Sequence, residues 1–373
     1  MKKIVCFIIS IIIAISFSLT PIYANDINVL SLEDIDIVES ISEFDEETYG
    51  GVYYENGIFH FIPVENIKSN QLYDLTKKRS SSQIHIDNQV KYTLSDLKEA
   101  SNNVFNMCDI LDIVSTSVDI KNNSIVVGDK NNWTDEKKEK VRTIAQIDNI
   151  EYIVDDIEFS NGIKTPATDI NIEQKTSRTN EFYIGDFISD GDWNSTLGGC
   201  IKIGNKQGYL TSGHNNYVGQ KFYLNGSYYM GKTSKVTYSG NLDAAFIERD
   251  SSSLYGMTNK VRLSKDLSRT GTVTSAGTPE VAGLTFIYGS AGGLRYAVVE
   301  TINYNYKING TNFTNLIRFD VTGSDGDSGS PVLMSLGNDK YKLVGIWKGI
   351  NGSGKGIATR WDKIASEWGA TIY

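Results

Sequence analysis

The chain has 373 residues, of which 40% are hydrophobic and 22% charged, so it can bury a substantial core and is not a disordered tail. Its net charge of −9 comes from 45 acidic and 36 basic residues, a balance that argues against a general nucleic-acid-binding protein. Three cysteines are too few for a disulfide-rich scaffold or a four-cysteine zinc site.

The first 24 residues follow the pattern of a secretory signal peptide. Two lysines precede an apolar run from Ile4 to Leu19, and Ala24 ends the segment, which predicts cleavage after that residue. An uncleaved membrane anchor is the alternative, because the 21 residues of 4–24 carry no charge and can cross a bilayer. We expect cleavage, so that residues 25–373 are secreted and keep no stable association with a membrane.

The rest of the chain divides into two parts of different composition. Residues 25–178 hold 29 acidic and 15 basic residues, a net charge of −14, whereas residues 179–373 hold 16 and 19, a net charge of +3. Five glycines precede residue 179 and 29 follow it. This split predicts two domains, with a boundary within about ten residues of Arg178. Cys108 and Cys200 could pair in the precursor, but we expect two unpaired, partly buried thiols.

Helix and strand patterns alternate in the first domain, which we interpret as a small α+β unit without a catalytic constellation. Its predicted elements are a helix over 93–108, a hairpin over 114–127, a helix that begins after Thr134 and a strand over 150–157. Ser95 is the candidate N-cap of the first helix. An exposed polar linker follows over 160–180.

Short strands separated by turns fill the second domain. Asn225-Gly226 and Asn309-Gly310 each lie between two strand-like segments, and Asn-Gly in that position is the strongest short-range indication of a β-hairpin. Helical periodicity is almost absent until Trp361–Trp368. These patterns predict an all-β barrel or sandwich with a C-terminal helix.

The second domain contains the residue types that nucleophilic acyl transfer needs. Ser328 lies between glycines in a tight loop, where the backbone can turn the amides of Gly326 and Ser328 toward one oxyanion hole. His214 is the only histidine after residue 178 and ends an apolar strand, while Asp243 begins another. Each feature has an ordinary alternative: a plain turn, a structural histidine and a turn aspartate.

These residues resemble the motifs of the chymotrypsin-like serine proteases. The segments Thr211-Ser212-Gly213-His214, Asp243-Ala244-Ala245 and Gly326-Asp327-Ser328-Gly329 occur in the order His, Asp, Ser. The spacings of 29 and 85 residues are similar to those of the compact bacterial branch, the streptogrisins and alpha-lytic protease. Further stretches that resemble this branch or its secreted pro-regions are 315–318, 368–373 and 117–127.

The resemblance implies a double six-stranded β-barrel of chymotrypsin type, with the active site in the cleft between the barrels. Ser328 is then the nucleophile, His214 its base and Asp243 the residue that orients the imidazole, with the amides of Gly326 and Ser328 as oxyanion donors. Residues 25–178 are then a pro-region that assists folding and inhibits the enzyme before removal. Protein or peptide substrates and the chain's own pro-region are the implied partners. No cofactor, metal or nucleic acid is expected, since no metal-ligand spacing is found.

The sequence departs from this family at several positions. Ser330 replaces a usual glycine, and Asn215 and Thr322 stand where the bacterial branch commonly forms a disulfide, so we expect a mature enzyme without disulfides. In the bacterial branch an arginine pairs with the aspartate that corresponds to Asp327. The position of that arginine is occupied by Tyr288 in this sequence, which leaves Asp327 without a named partner.

The candidate residues of the substrate pocket are Thr322, Asp325, Trp347, Lys348 and Gly349. Thr322 in place of an aspartate argues against trypsin-like selection of lysine or arginine, and the lack of a second histidine after residue 178 argues against selection of glutamate. Lys348, in a strand without the family's usual serine, could attract an acidic side chain, although we expect a solvated lysine. The leading hypothesis is a secreted serine endopeptidase made as a zymogen. A catalytically silent binding module on the same fold is the alternative.

Overall fold

A computed structural model describes residues 46–55, 58–64, 84–155, 181–281, 283–351 and 353–373. The predicted signal peptide, the linker 160–180 and the domain boundary near Arg178 lie outside these residues. Within the described ranges, no helix is both long and apolar enough to cross a membrane.

The first region combines a three-stranded sheet, three further strands and three helices. Its strands are β1 (Tyr49–Glu55), β2 (Ile58–Pro63), β3 (Ile84–Ile86), β4 (Ser115–Asp119), β5 (Ser124–Asp129) and β6 (Ile150–Val154). Its helices are α1 (Leu94–Asn106), α2 (Cys108–Leu111) and α3 (Asp135–Ala145). β4 and β5 form the predicted hairpin, and the Thr134 side chain caps α3.

The predicted cap of α1 is wrong by two residues. Thr93, not Ser95, precedes the helix, and its hydroxyl accepts a hydrogen bond from the Asp96 amide at 3.0 Å. The Asp96 carboxylate accepts in return from the Thr93 amide at 2.9 Å, which completes a capping box.

Residues 181–373 are almost entirely β-structure, with one helix near the C-terminus, as predicted. The strands of the first half are β7 (Glu181–Ile184), β8 (Phe187–Ser189), β9 (Asn194–Thr196), β10 (Gly199–Ile203), β11 (Lys206–Thr211), β12 (Lys221–Leu224), β13 (Tyr228–Ser239) and β14 (Leu242–Arg249). The remaining elements are β15 (Gly256–Arg262), β16 (Thr270–Ala276), β17 (Leu284–Gly289), β18 (Gly293–Ile308), β19 (Thr311–Phe319), β20 (Pro331–Ser335), β21 (Lys340–Ile350), β22 (Gly356–Arg360), α4 (Trp361–Trp368) and β23 (Ala370–Ile372).

Two Asn-Gly turns connect hairpins where the sequence predicts them. Asn225 and Gly226 join β12 to β13, and Asn309 and Gly310 join β18 to β19. All four residues have positive φ, between +47° and +79°, as the central residues of these tight turns require. Ser227 adds a third residue to the first loop, where Leu224 pairs with Tyr228.

The strands of the second region form two curled sheets. One is antiparallel, with the strand order β23-β10-β11-β14-β13-β12-β8-β9. In the other, the ladders β17–β18, β18–β19, β19–β22, β22–β21, β21–β20 and β20–β17 close a ring of six strands. Closure leaves no free edge among these six strands, and apolar residues such as Ile287, Val332 and Trp347 fill the interior.

The first region adds its strands to the second sheet. β4 pairs with β18, where Thr116 lies opposite Asn305, so β6, β5 and β4 extend the sheet beyond the ring. The Asn305 amide donates to Thr116 Oγ1 at 3.1 Å, and the Tyr304 hydroxyl donates to the buried Asp155 carboxylate at 3.1 Å. The two regions are therefore joined by a backbone ladder and buried polar contacts.

Both described cysteines are unpaired. Cys108 and Cys200 are free thiols, which confirms that prediction, but they are 2% and 1% exposed and so are more deeply buried than predicted.

Candidate active site

The two sheets bring His214, Asp243 and Ser328 together. His214 follows the end of β11 and Asp243 is the second residue of β14, while Ser328 lies in the loop between β19 and β20. At Gly213, a Cβ would clash with the Thr237 carbonyl oxygen and lie 2.7 Å from the Ala244 nitrogen. Only glycine therefore lets the chain pass close enough to β14 to set His214 beside Asp243.

The three side chains form a continuous line of hydrogen bonds. His214 Nε2 lies 2.8 Å from Ser328 Oγ, and His214 Nδ1 lies 2.7 Å from Asp243 Oδ2. An ionised carboxylate can only accept hydrogen bonds, so the imidazole proton belongs on Nδ1. Nε2 then has a free lone pair that accepts a hydrogen bond from the Ser328 hydroxyl. This tautomer of His214 is the one that can remove the proton of Ser328.

Asp243 is buried yet held in its ionised form. Its Oδ1 accepts from the amides of Gly213 and His214 at 2.6 and 2.7 Å, and its Oδ2 contacts both His214 Nδ1 and Lys348 Nζ. Burial alone raises the pKa of this carboxyl, but the charges and hydrogen bonds of His214 and Lys348 outweigh burial and hold the pKa well below its usual range.

Lys348 lies in the interior and not in solvent, so the expectation of a solvated lysine is wrong. Its side chain is 3% exposed, and its ammonium group pairs with the Asp243 carboxylate. The strand β21 places the Lys348 side chain in the interior, where the Asp243 carboxylate compensates its charge. A lysine within the otherwise apolar end of this strand was the available indication, since a buried charge needs a partner.

The Ser328 loop has the backbone that an oxyanion hole needs. Gly326 and Gly329 have φ of +92° and +86°, and a Cβ at Gly329 would clash with the Thr211 hydroxyl. The Gly326 carbonyl oxygen accepts from the hydroxyl of Thr196 at 2.9 Å. Within the part of the chain that the structure describes, the amides of Gly326 and Ser328 have no protein acceptor. Both N–H groups are therefore free to donate to another acceptor.

Asp327 anchors this loop through a partner that the sequence did not reveal. Its buried carboxylate pairs with Arg295 and accepts from three backbone amides, those of Ala291, Gly292 and Ser324. Tyr288, at the position expected for the arginine, is buried on β17. Arg295 is the one arginine between residues 270 and 317, which was the available sequence indication. Ser330 adds a hydrogen bond from its hydroxyl to the Asp327 carbonyl oxygen.

The candidate pocket residues lie in different environments. Thr322 and Asp325 are exposed, Gly349 is partly buried, and Trp347 is only 1% exposed. A Cβ at Gly323 would lie 2.6 Å from Cζ2 of the Trp347 indole, and a Cβ at Gly356 would clash with the neighbouring Cη2 and Cζ3 atoms of the same ring. The indole therefore fills the space between these two stretches of backbone.

A group of possible metal ligands lies in the first region, away from the triad. Ligand atoms of His60, His85 and Asp87 lie within 4.8 Å of one another, and Asp87 Oδ1 is 3.0 Å from His60 Nδ1. These side chains could hold a divalent cation, but the His60–Asp87 contact also satisfies them without one. Sequence spacing did not indicate the group, because His60 and His85 meet only across the parallel β2–β3 ladder.

Comparison with known proteins finds similar solved structures. No family model and no curated protein matches the chain. Nocardiopsis protease is 20% identical, with a TM-score of 0.45, over 52% of this chain and 98% of that one. Thermobifida fusca protease A is 20% identical, with a TM-score of 0.44, over 51% and 97%. Cellulomonas bogoriensis chymotrypsin is 18% identical, with a TM-score of 0.44, over 52% and 98%. Each of these similarities covers about half of this chain.

Proposed function

We propose that the chain is a secreted serine endopeptidase made as a zymogen. The observation that carries the proposal is the line of hydrogen bonds from Asp243 through His214 to Ser328, with both imidazole nitrogens engaged. A histidine kept for structural reasons alone has no need of a serine hydroxyl on Nε2 and a buried carboxylate on Nδ1 at the same time.

In the proposed reaction, Ser328 Oγ attacks the carbonyl carbon of a peptide bond while His214 Nε2 takes the hydroxyl proton. The carbonyl oxygen becomes an oxyanion that receives the N–H groups of Gly326 and Ser328. Asp243 stabilises the imidazolium that forms. His214 then gives the proton to the leaving amine as the C–N bond breaks, and water repeats the sequence to release the acid from Ser328.

Loss of Ser328 is the direct test of this proposal. Ser328→Ala should lower kcat by about 10⁶-fold if the triad acts as a unit, and should abolish labelling by a fluorophosphonate probe. Ser366→Ala, which changes an exposed serine on α4, is the matched control and should label and cleave as the unmodified chain does. Unchanged peptide cleavage by Ser328→Ala would remove the assignment. A native protein that never labels at Ser328, even after removal of the first region, would favour the binding module.

We also propose that residues 25–178 are the pro-region of this enzyme, which assists its folding and inhibits it until removal. The β4–β18 ladder supports this, because strands of the acidic first region extend a sheet of the second. The opposite net charges of −14 and +3 favour the association, within the limits of salt screening. The test is the N-terminal sequence and mass of the protein in culture medium. A start within about ten residues of Arg178 supports removal, and a retained first region contradicts it.

A further inference from the structure

We propose that Lys348 is a positioning residue of this active site: its buried ammonium group holds the Asp243 carboxylate and partly neutralises it, so that His214 stays an unprotonated base at lower pH. This inference rests on the proposed function. It concerns how the base is adjusted, and its failure can be distinguished from the failure of the triad itself.

The contact is made at the oxygen that matters for the base. Lys348 Nζ reaches Asp243 Oδ2, the atom that also accepts from His214 Nδ1 at 2.7 Å. The side chains of Lys348 and Asp243 are 3% and 0% exposed. Two charges removed from water to this extent are unfavourable unless each compensates the other, so the pair forms as a unit.

Three aromatic rings from three strands surround the ammonium group. The ring centroids of Phe313 on β19, Tyr238 on β13 and Tyr306 on β18 lie 4.0, 4.5 and 5.9 Å from Lys348 Nζ. Ring faces attract a cation while they keep water away. The rings also pack on one another, with centroids of Phe313 and Tyr238 5.0 Å apart and of Phe313 and Tyr306 5.3 Å apart. These three rings, the aromatic cage, therefore hold Lys348 Nζ in place. The Asp243 carboxylate that pairs with it is held in the same way.

The cage is tied to the strand that carries Asp243. Gly240, in the turn before β14, donates its amide to the Asn312 carbonyl oxygen at 2.9 Å. Its own carbonyl oxygen accepts from the Thr314 amide at 2.8 Å. The β18–β19 hairpin is thus held against the turn that leads to Asp243, and the Lys348–Asp243 pair lies where the two sheets meet.

The electrostatic consequence follows because one carboxylate oxygen, Asp243 Oδ2, contacts both the Lys348 ammonium group and the His214 imidazole. An additional positive charge near an imidazole disfavours its protonated form. The titratable groups that face Lys348 are Asp243, with His214 beyond it, Tyr238 from β13 and Tyr306 from β18. Burial raises the pKa of Tyr238 to about 12 and that of Tyr306 well above its usual value, so both are neutral near neutral pH and add no charge beside Lys348. Burial lowers the pKa of Lys348, but Asp243 opposes this by favouring the ammonium form.

The test compares Lys348→Met, which keeps the length and removes the charge, with Lys348→Arg, which keeps the charge. The measurement is kcat/KM against pH on a peptide substrate, with active sites counted by fluorophosphonate titration. We expect the acidic limb of Lys348→Met to move up by about one pH unit or more. Its activity should therefore fall roughly 10-fold further at pH 6 than at pH 9. The acidic limb of Lys348→Arg should stay near that of the unmodified chain.

A loss of activity that is equal at every pH, with the limb unmoved, would show that Lys348 only fills space and would overturn the proposal. Should Lys348→Met not fold, Lys348→Gln, which can still donate to the carboxylate, takes its place with the same expected shift. An NMR titration of His214 in the Ser328→Ala background gives a second readout that does not need turnover: the imidazole should hold its proton to higher pH without Lys348. Absence of Ser328-dependent activity after removal of the first region would instead reject the proposed function.

Discussion

Replacing Asp243 by asparagine should destabilise the second domain as well as inactivate the site. Asparagine can still accept hydrogen bonds from the Gly213 and His214 amides, so the backbone around it loses little. Lys348, however, loses the carboxylate that compensates its charge inside the protein. Loss of the orienting carboxylate alone lowers kcat by about 10⁴-fold in the general serine-protease scheme.

The size of the stability loss follows from the burial of both partners. Two unit charges about 3 Å apart attract by about 5 kcal/mol at an effective dielectric constant near 20. Removing one partner of a buried pair typically costs about 3–5 kcal/mol, because the remaining charge stays buried. We therefore expect Asp243→Asn to lower the free energy of unfolding by about 3 kcal/mol or more. The double variant Asp243→Asn/Lys348→Met should recover most of that loss and remain inactive.

The assay is urea unfolding of the full chain in the Ser328→Ala background, which prevents self-cleavage, followed by tryptophan fluorescence through the transition of the second domain. The pKa of Asp243 is held below its usual value, so its contribution is complete above the unfolded-state pKa and disappears only as pH falls through the folded-state value. The titration of Asp243 itself therefore adds no pH dependence to stability between about pH 6 and 8. A loss below about 1 kcal/mol, or a double variant no more stable than the single one, would refute the reasoning.

Three further predictions follow from buried groups of the second domain. Arg295→Met should slow fluorophosphonate labelling of Ser328 on the order of 10-fold or more, because the buried Asp327 carboxylate loses the cation that pairs with it; an unchanged labelling rate contradicts this. Trp347→Val should open the space beside Gly356 and raise kcat/KM for aromatic over alanine residues at the cleavage site. An unaltered preference in a peptide library would show that the indole does not limit the pocket. Burial raises the pKa of Cys200 to about 12, so the native thiol should not react with Ellman's reagent at pH 8 and should react once the chain is unfolded; rapid native modification would be inconsistent.

Local chemistry explains why much of the second domain could be predicted from the sequence. Asn225-Gly226 and Asn309-Gly310 predict hairpins because their backbone angles are ones that most residues avoid. The glycines around Ser328 are needed for similar reasons: Gly326 and Gly329 have φ of +92° and +86°, and a Cβ at Gly329 would also clash with the Thr211 hydroxyl. His214 could be singled out because no other histidine follows residue 178.

By itself, the sequence determined the division by charge and glycine content, the all-β character of residues 181–373 and the three residues that meet at the candidate site. Only the tertiary structure decided which charges are buried together. Lys348 lies 105 residues from Asp243 along the chain, and Arg295 lies 32 residues from Asp327. The charge and hydropathy that the sequence assigns to a lysine or arginine are the same whether its side chain lies in solvent or in the interior. Its partner is fixed by which strands lie side by side, and that depends on the long-range packing of the two sheets.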